Sequence, residues 1–568
     1  MNKALVILII TNLILVFTSC KNKTLRPKDG KGNISYGDTL CFYTSQEITN
    51  LFPLFATDLY SHRVSSQIFE PLLRLDPITN EVVGHLAKRT EISGDNKKIK
   101  LFLREDVYFH DDPCFSSSPN KLTAFDVKFC LDFACSNNSL NNAGKILSEK
   151  IVGGEEHYSQ SSEKISKGVS GIKIINDYCI EITLKEPYVN FQKLLTSASY
   201  GIFSKVAFDY YGKKIVSHPI GTGPFIYGER NQKQLILNYN PNYWKKDIYG
   251  NQLPYLNALK IKVSDNKKAE FDLFRKREID VVFEVPSESL NFLLGSLQDA
   301  QNGSTISHRV LVSPGTSMAY LGFNTTRMPL SNINVRMAID YIINRDILCN
   351  TILNGDGSPA LHGFAPTSSY YNNPLIPMRQ YDVEKAKKLL EKAGYKNGAN
   401  FPPLKMFVAG TKESASLKWG QYICDELRNT LGINVEILTG DFAAREKAIA
   451  KNEIDIWSVG WVPDYPDPES YFSLFYNRSR QPGFEASIFP YLSSEYYNQC
   501  YYSATIERNE EKRQNLFNSC DSILRSEAII LPILIDDFVA IINLRVRNFK
   551  LNPLGIVDFS TVYIKELN

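Results

Sequence analysis

The sequence predicts a mixed α/β protein that folds into more than one lobe. The chain has 568 residues, and single hydrophobic cores stop growing near about 250–300 residues, so one core does not accommodate it. Strand-like runs are interspersed with runs that repeat apolar residues every three or four positions, the pattern of a helix with one buried face. Both patterns recur along the chain, so the two structure types are mixed.

The amino terminus has the features of an export signal. Lys3 precedes an apolar run over residues 4–17, and the sequence TSC then ends at Cys20. The run is shorter than the roughly 20 residues that cross a bilayer, which favours a signal peptide over residues 1–19. A small residue before such a cysteine resembles a bacterial lipobox, so Cys20 is the predicted lipidation site. The alternative is an uncleaved anchor, and both interpretations place the remaining chain outside the cytoplasm.

Strands and helices follow a polar segment. Residues 20–35 are rich in Lys, Gly and Asn and predict a lipidated tether, with folded sequence beginning near Tyr36. The strand-like runs are Leu40–Thr44, Lys98–Arg104, Cys179–Leu184 and Gln234–Tyr239.

Three helices have clear signals. Thr123 and Asp126 form a capping-box pattern ahead of an apolar stripe. Residues 335–343 repeat apolar side chains at helical intervals. Asp382 opens a third helix, and Gly394 closes it where a left-handed cap is favoured.

Charge and cysteine content exclude two classes of function. Net charge is only +3, with both signs spread along the chain, so no basic surface for nucleic acid is predicted. Nine cysteines follow Cys20, without the spacing of a metal site. Disulfide pairing stays open, and no metal or other cofactor is predicted.

The motifs of common catalytic sites are missing from the sequence. It contains no H-E-x-x-H, G-x-S-x-G or Walker lysine pattern. The run GTGPF, Gly221–Phe225, lacks a lysine, and Pro224 has no N–H for a phosphate, so a tight turn leading into a strand is favoured. The cluster FHDD, Phe109–Asp112, is interpreted as a solvated turn rather than a metal or acid/base site.

The run GWVPDYPDPESYF, Gly460–Phe472, holds carboxylates in a stiff loop. It follows a strand-like run, Ile454–Trp461, and prolines at 463, 466 and 468 restrict its backbone. Asp464 and Asp467 lie there beside aromatic rings. Two interpretations stay open at this point: the carboxylates accept N–H bonds within a turn, or they face a ligand.

Seven motifs in order resemble those of the family 5 extracellular solute-binding proteins, which include the oligopeptide-, dipeptide- and nickel-binding proteins of ABC importers. They are IFEPLLRLD, FHDD with LTAFDVKF, PIGTGPF with NPNYW, EIDVV, YLGFNTT with NVRMAIDYIINRDIL, YDVEKAKKLLEKAG and GWVPDYPDPESYF. The sequence departs from the family pattern where HDD replaces HDG and where Phe52, Pro53 and Leu54 replace L-D-P.

The resemblance implies a periplasmic-binding-protein-like fold of the large cluster C type, with two hinged α/β lobes and an extra domain. Lobe I is expected over 36–66, 191–309 and 527–568. The extra domain II is expected over 67–190, and lobe III over 310–526. Hinge segments are expected near residues 310 and 527.

The resemblance also implies the site. Asp464 matches the carboxylate that binds the α-amino group of a peptide in peptide-binding members. The backbone of Gly460, Trp461 and Val462 is expected to pair with an extended peptide, with the Trp461 ring forming the wall of a side-chain pocket. Tyr465 and Glu47 are further candidates.

The expected function is the capture of short peptides outside the cytoplasm and their delivery to an ABC permease, without catalysis. The protein is expected to be a monomer, lipid-anchored to a membrane in the periplasm or cell envelope. One alternative is the same fold with a metal chelate or oligosaccharide as cargo. Another is a hydrolase that uses Asp464 and Asp467 as paired carboxylates.

Overall fold

The structure, a computed structural model, describes residues 26–566 except 27, 45–47, 49, 57, 77–78, 144–145, 162–167, 232, 265, 284, 286–307, 368–370, 372–378, 411–413, 477–491, 493 and 553. The predicted signal peptide, Cys20 and Glu47 lie outside these residues. In the part of the chain that is described, none of the helices combines the length and apolarity needed to span a lipid bilayer.

Strands and helices alternate along the chain. The strands are β1 Asp29–Gly30, β2 Ile34–Ser35, β3 Gly37–Thr44, β4 Leu73–Leu75, β5 Val82–Gly84, β6 Ala87–Ile92, β7 Lys98–Leu103, β8 Ile172–Asn176, β9 Cys179–Thr183, β10 Phe225–Arg230, β11 Gln234–Tyr239, β12 Leu256–Val263, β13 Val281–Phe283, β14 His308–Phe323, β15 Ser358–Pro359, β16 Leu404–Ala409, β17 Val435–Gly440, β18 Ile456–Trp461, β19 Ile530–Asn543, β20 Val546–Arg547 and β21 Tyr563–Ile564. The α-helices are α1 Leu59–Ser65, α2 Ala124–Ala134, α3 Ile146–Lys150, α4 Gly154–Gln160, α5 Phe191–Leu194, α6 Lys205–Tyr211, α7 Lys267–Arg275, α8 Ile333–Tyr341, α9 Arg345–Ile347, α10 Val383–Lys392, α11 Ala415–Leu431, α12 Phe442–Ala450, α13 Glu469–Phe472, α14 Glu495–Ile506 and α15 Glu510–Glu527.

Several local signals in the sequence are confirmed, whereas the predicted solvated turn over Phe109–Asp112 is wrong for Phe109 and His110, which are buried. The capping box of Thr123 and Asp126 opens α2, and Asp382 caps α10 by accepting from the N–H of Lys385. Strand β11 has the predicted bounds, Gln234–Tyr239, and GTGPF turns into β10 at Phe225.

One sheet runs through the whole molecule. Its strand order is β10-β11-β12-β3-β13-β19-β14-β18-β16-β17, with β15 also paired to β19. The chain divides into two parts along this sheet. Of the described residues, those within 28–283, 308–313 and 538–566 form the large lobe, and those within 317–536 form the small lobe.

Two long strands, β14 and β19, connect the lobes. Their pairing shifts register between Ser313, opposite Phe538, and Ser317, opposite Asp536. The N–H of Gly315, in this bulge, donates to Oδ1 of Asp537 at 2.7 Å. The first crossing lies close to the expected residue 310, but the second lies near residue 537. The expected crossing at 527 is wrong because Ile530–Ile535 pairs with the small-lobe part of β14.

One large hydrophobic cluster extends through most of the large lobe. A four-stranded sheet, β6-β7-β9-β8, contributes to the same hydrophobic cluster as the central sheet. Phe133, from the expected extra domain, packs against Phe203 at 5.7 Å between ring centroids, and Phe203 against Phe52 at 4.7 Å. The expected domain II is thus a subdomain that shares its core with lobe I, since these rings interlock across the boundary.

The folded body begins earlier than predicted. Strand β1 pairs with β2, within the expected tether. The Arg26 guanidinium lies over the rings of Tyr36, at 4.4 Å, and Tyr239, at 4.6 Å. It also donates to the carbonyl of Leu256 at 3.2 Å. The tether prediction over 20–35 is therefore too long, because this polar segment has aromatic partners distant in sequence.

Three sequence runs, IFEPLLRLD, PIGTGPF and NPNYW, meet at the buried side chain of Glu70. Its carboxylate accepts bonds from Thr222 at 2.8 Å, Tyr243 at 2.7 Å and Trp244 at 3.0 Å. His85 Nε2 lies 3.0 Å away. Burial raises the pKa of Glu70, but His85 and the donors outweigh it and lower the pKa overall. These motifs therefore support the fold of the large lobe.

The cysteines are reduced in this fold. All nine that follow Cys20 are buried and free. The open question of disulfide pairing is answered for these nine residues: they act as small apolar side chains.

Candidate functional site

Strand β18 ends at the loop that the sequence singles out. It pairs antiparallel with β14, where Gly460 lies opposite Ala319. It pairs with β16 only as far as Trp457, opposite Phe407. Gly460 is exposed, and a Cβ there would meet no described atom within 4 Å beyond its chain neighbours. A second chain therefore has room to approach the backbone at Gly460.

Asp464 has an accessible carboxylate closely surrounded by protein. The residue is exposed, yet desolvation by its surroundings raises the pKa of its carboxyl from 3.8 to about 6. Its N–H donates to Oγ of Ser470 at 3.0 Å. Its carboxylate has no hydrogen bond or salt bridge to any residue that the structure describes.

The large lobe faces this carboxylate. Burial, and then the charge of Asp464, raise the pKa of the Tyr200 hydroxyl in the large lobe. Asp464 belongs to the small lobe, so its field reaches across the boundary between the two lobes. A side chain that is exposed and yet desolvated is typical of a cleft.

Asp467 is a structural acid. It is 1% exposed and accepts from Lys193 Nζ at 2.8 Å and from Arg513 Nη1 at 3.0 Å. Burial raises the pKa of Asp467, but the charges of Arg513 and Lys193 outweigh it and lower the pKa overall. A glycosidase pair needs two carboxylates that both reach the substrate. The hydrolase alternative with Asp464 and Asp467 is therefore not supported.

Glu469 is a second buried acid, at the start of α13. Its carboxylate accepts from the hydroxyls of Tyr188 at 2.7 Å, Tyr465 at 3.0 Å and Tyr501 at 3.0 Å. The Asn190 amide donates to it at 2.9 Å. Among the described residues, these four are the side chains that donate hydrogen bonds to Glu469, and all four are neutral.

Tyr465, a candidate for ligand contact, packs within the protein. It is 4% exposed and lies in the hydrophobic cluster of the large lobe, although it belongs to a small-lobe loop. Its hydroxyl bonds to Glu469. The structure therefore corrects the expected ligand contact of Tyr465, because the ring and hydroxyl are both occupied by the protein.

The Trp461 indole is half-buried. Its Nε1 donates to the carbonyl of Ser470 at 3.0 Å, and its ring packs against a hydrophobic cluster of the small lobe that includes Tyr320 and Trp457. Val462 is also partly buried. Both residues lie between the open backbone of Gly460 and Asp464.

A cavity of 120 Å³ adjoins Gly460 at the end of the small-lobe sheet. It is lined by Ala319, Leu353, Ala409, Trp419, Arg445 and Leu534, among others. Ligands of open α/β sheets commonly bind beyond the carboxyl ends of the strands, and β16 and β18 both end here. Arg445 is buried and donates to the Ser458 carbonyl at 2.7 Å.

The described residues contain no cluster of His, Cys, Asp or Glu side chains able to hold a metal ion. Several residues around the loop carried no local signal in the sequence, namely Tyr188, Lys193, Tyr200 and Arg445. Each is distant in sequence from Asp464, so only the fold brings them together.

Comparisons with known proteins agree with this architecture. The sequence profile of the bacterial extracellular solute-binding proteins, family 5 (middle), matches residues 81–483. The dipeptide-binding protein of Escherichia coli is 25% identical over 507 residues, 88% of this chain and 90% of that protein. Heme-binding protein A of Haemophilus influenzae is 24% identical over 566 residues, 96% of each chain.

A solved structure shows the same fold. It is the ABC transporter-associated periplasmic binding protein DppA from Helicobacter pylori in complex with the peptide STSA, with a TM-score of 0.78 and 23% sequence identity. The match covers 94% of this chain and 99% of that chain. The profile match spans both the Glu70-binding motifs GTGPF and NPNYW and the Asp464 loop, and the chain therefore belongs to family 5 of the bacterial extracellular solute-binding proteins.

Proposed function

We propose that this chain captures short peptides with a free amino terminus between its two lobes and delivers them to the permease of an ABC importer. One observation carries the proposal: Asp464 has an accessible, desolvated carboxylate with no positive partner among the described residues. The proposal requires no chemical change in the peptide.

A peptide ammonium supplies the charge that this carboxylate needs. Two opposite charges taken out of water together stabilise each other, and removing one partner of such a pair typically costs about 2–5 kcal/mol. The prolines at 463, 466 and 468 limit the loop conformations, so little ordering remains to be done when the ligand binds.

The neighbouring strand supplies contacts that are independent of side chains. The peptide is proposed to pair with the backbone at Gly460–Val462 as an added strand, which gives affinity without selecting a sequence. The exposed backbone at Gly460 supports this geometry. Trp461 and the adjoining 120 Å³ cavity are proposed to hold ligand side chains. Glu47, outside the described residues, stays a further candidate.

Other cargoes are the competing proposal. A relative is named for heme, and a metal chelate or oligosaccharide fits the same class of fold. A sugar or an anionic chelate has no ammonium for Asp464, so the site as described favours a peptide.

The site of action is proposed to be the periplasm or cell envelope. Residues 1–19 would be removed, and Cys20 would carry the lipid that holds the protein, as a monomer, on the membrane. The mass of the mature amino terminus tests this part separately: an unmodified Cys20 would contradict the anchor.

Substituting Asp464 tests the proposal. We expect Asp464→Asn to weaken the binding of free-amine peptides about tenfold or more, because the ammonium loses its charged partner. Calorimetry on peptides that copurify with the protein, with and without N-acetylation, measures this effect.

Two controls make the result specific. N-acetylated peptides should bind the variant and the original chain almost equally, and Asp209→Asn, at an exposed ion pair with Lys205 on α6, should change neither affinity. Equal losses for free and acetylated peptides would contradict the amine-binding role of Asp464.

A further inference from the structure

The loop that carries Asp464 is held by side chains of the opposite lobe. We propose that Tyr188, Asn190 and Lys193 of the large lobe are positioning residues for Asp464 and act through Asp467 and Glu469. This inference rests on the proposed function only in taking Asp464 as the ligand's partner. None of the three residues needs to touch the ligand.

The carboxylate of Asp464 does not fix its own position. Within the described chain only its backbone N–H is bonded, to Ser470. Its placement therefore depends on the residues immediately after it in the loop. Three of these, at positions 465, 467 and 469, are buried and bonded.

The first attachment is the Tyr465 ring. It inserts into the large-lobe core, and its hydroxyl lies 3.1 Å from that of Tyr188. Tyr188 and Asn190 both donate to Glu469, at 2.7 and 2.9 Å. A nearby backbone bond, from the Val189 N–H to the Thr505 carbonyl at 3.1 Å, joins the same two lobes.

The second attachment is the Asp467 ion pair. Lys193 comes from the large lobe and Arg513 from α15 of the small lobe, so Asp467 bonds to both lobes at once. These cations also compensate a negative charge three residues from Asp464. Without Lys193, that charge would act on Asp464 and raise its pKa further, because like charges disfavour ionisation.

We call Tyr188, Asn190 and Lys193 the clasp. The clasp makes ligand binding sensitive to the contact between the lobes. Asp464 is in its binding position when Tyr188, Asn190 and Lys193 hold the loop. Loss of a clasp residue should release the loop and reduce affinity chiefly through faster dissociation of the ligand.

Two substitutions test this inference in the full chain. We expect Tyr188→Phe and Lys193→Met each to weaken binding of a free-amine peptide about threefold to tenfold. Peptide affinity should fall when Asp464 is protonated, and the pH at which half of this fall has occurred is the pH midpoint of binding. Lys193→Met should shift this midpoint upward. Lys193→Arg should restore both the affinity and the midpoint, since it restores the cation.

A matched control separates positioning from stability. Arg379 is one of three arginines that contact the buried Asp340 within the small lobe. Arg379→Met should lower the unfolding temperature while leaving the pH midpoint of binding unchanged. Thermal unfolding confirms that each variant is folded before its affinity is measured.

The outcomes distinguish the two proposals. If Asp464→Asn loses affinity while Tyr188→Phe and Lys193→Met keep both affinity and midpoint, the clasp is overturned and the amine role stands. If Asp464→Asn also leaves the affinity for a free-amine peptide unchanged, the proposed function itself is contradicted. A midpoint shift in Arg379→Met equal to that in Lys193→Met would overturn the clasp as well.

Discussion

At the scale of single residues, Asp340, Asp467 and Asp464 differ in their charged partners. Asp340 is surrounded by Arg345, Arg379 and Arg525; burial raises the pKa of its carboxyl, but the arginines outweigh it and hold the pKa at about 2. Asp467 is likewise paired with cations. Asp464 is desolvated without such compensation, so its charge is unfavourable until a cation arrives from outside.

Peptide affinity should therefore depend on pH near neutrality. The raised pKa of about 6 means that Asp464 is ionised above this pH and protonated below it, and only the ionised form pairs with an ammonium. We expect affinity to be highest near pH 7 and to fall as the pH drops through 6, approaching about tenfold per pH unit. Calorimetry between pH 5 and 7 measures this.

The control is the Asp464→Asn variant, whose affinity should be flat over the same range. The peptide's own amino group stays mostly protonated between pH 5 and 7, because its pKa lies near about 8. An unchanged affinity of the original chain between pH 7 and 5 would contradict the role of Asp464.

At the scale of elements, features with short-range causes could be predicted from sequence. The capping box at Thr123, the cap at Asp382 and the strand β11 each depend on neighbouring residues, and each is confirmed. The packing of Tyr465, the partners of Asp467 and the docking of Arg26 depend on residues far away in the chain. No local pattern encodes such contacts, so these parts of the site and the start of the folded body could not be predicted without the three-dimensional structure.

Gly315 should be essential to the crossing between the lobes. A Cβ there would lie 1.6 Å from the carbonyl oxygen of Asp536, so Gly315→Ala must push β14 and β19 apart. We expect a loss of about 1–3 kcal/mol in unfolding free energy and a changed lobe arrangement. Thermal unfolding and small-angle X-ray scattering measure the two effects.

Gly94→Ala is the matched control, because a Cβ at that position meets no described atom within 4 Å beyond its neighbours. It should change stability by no more than about 0.5 kcal/mol. Equal behaviour of the two variants would show that the crossing tolerates a side chain.

At the scale of the whole molecule, the family resemblance predicts two lobes correctly, whereas the division of the large lobe into two domains is not matched by separate cores. The same packing explains the cysteines. Their side chains fill apolar space in both lobes, and burial raises the pKa of several thiols, including Cys114 and Cys424 to about 12. Such thiols are poor nucleophiles.

The unfolding temperature should therefore be the same with and without a reducing agent. Thiol titration should give a slow reaction in the native protein and nine reactive groups beyond Cys20 in denaturant, because all nine are free. A lower unfolding temperature under reduction, or fewer than nine thiols, would show that a disulfide forms.

The docking of Arg26 has a consequence for how the protein meets its transporter. Six residues from a lipid on Cys20 to Arg26 would span at most about 20 Å. The ring of Tyr249 packs against Gly32 near this point, beside Ile248, which is 91% exposed. If Cys20 carries the proposed lipid, so short a connection would keep this edge of the large lobe at the lipid headgroups. The protein would then diffuse to its permease in the plane of the membrane, with its orientation already restricted.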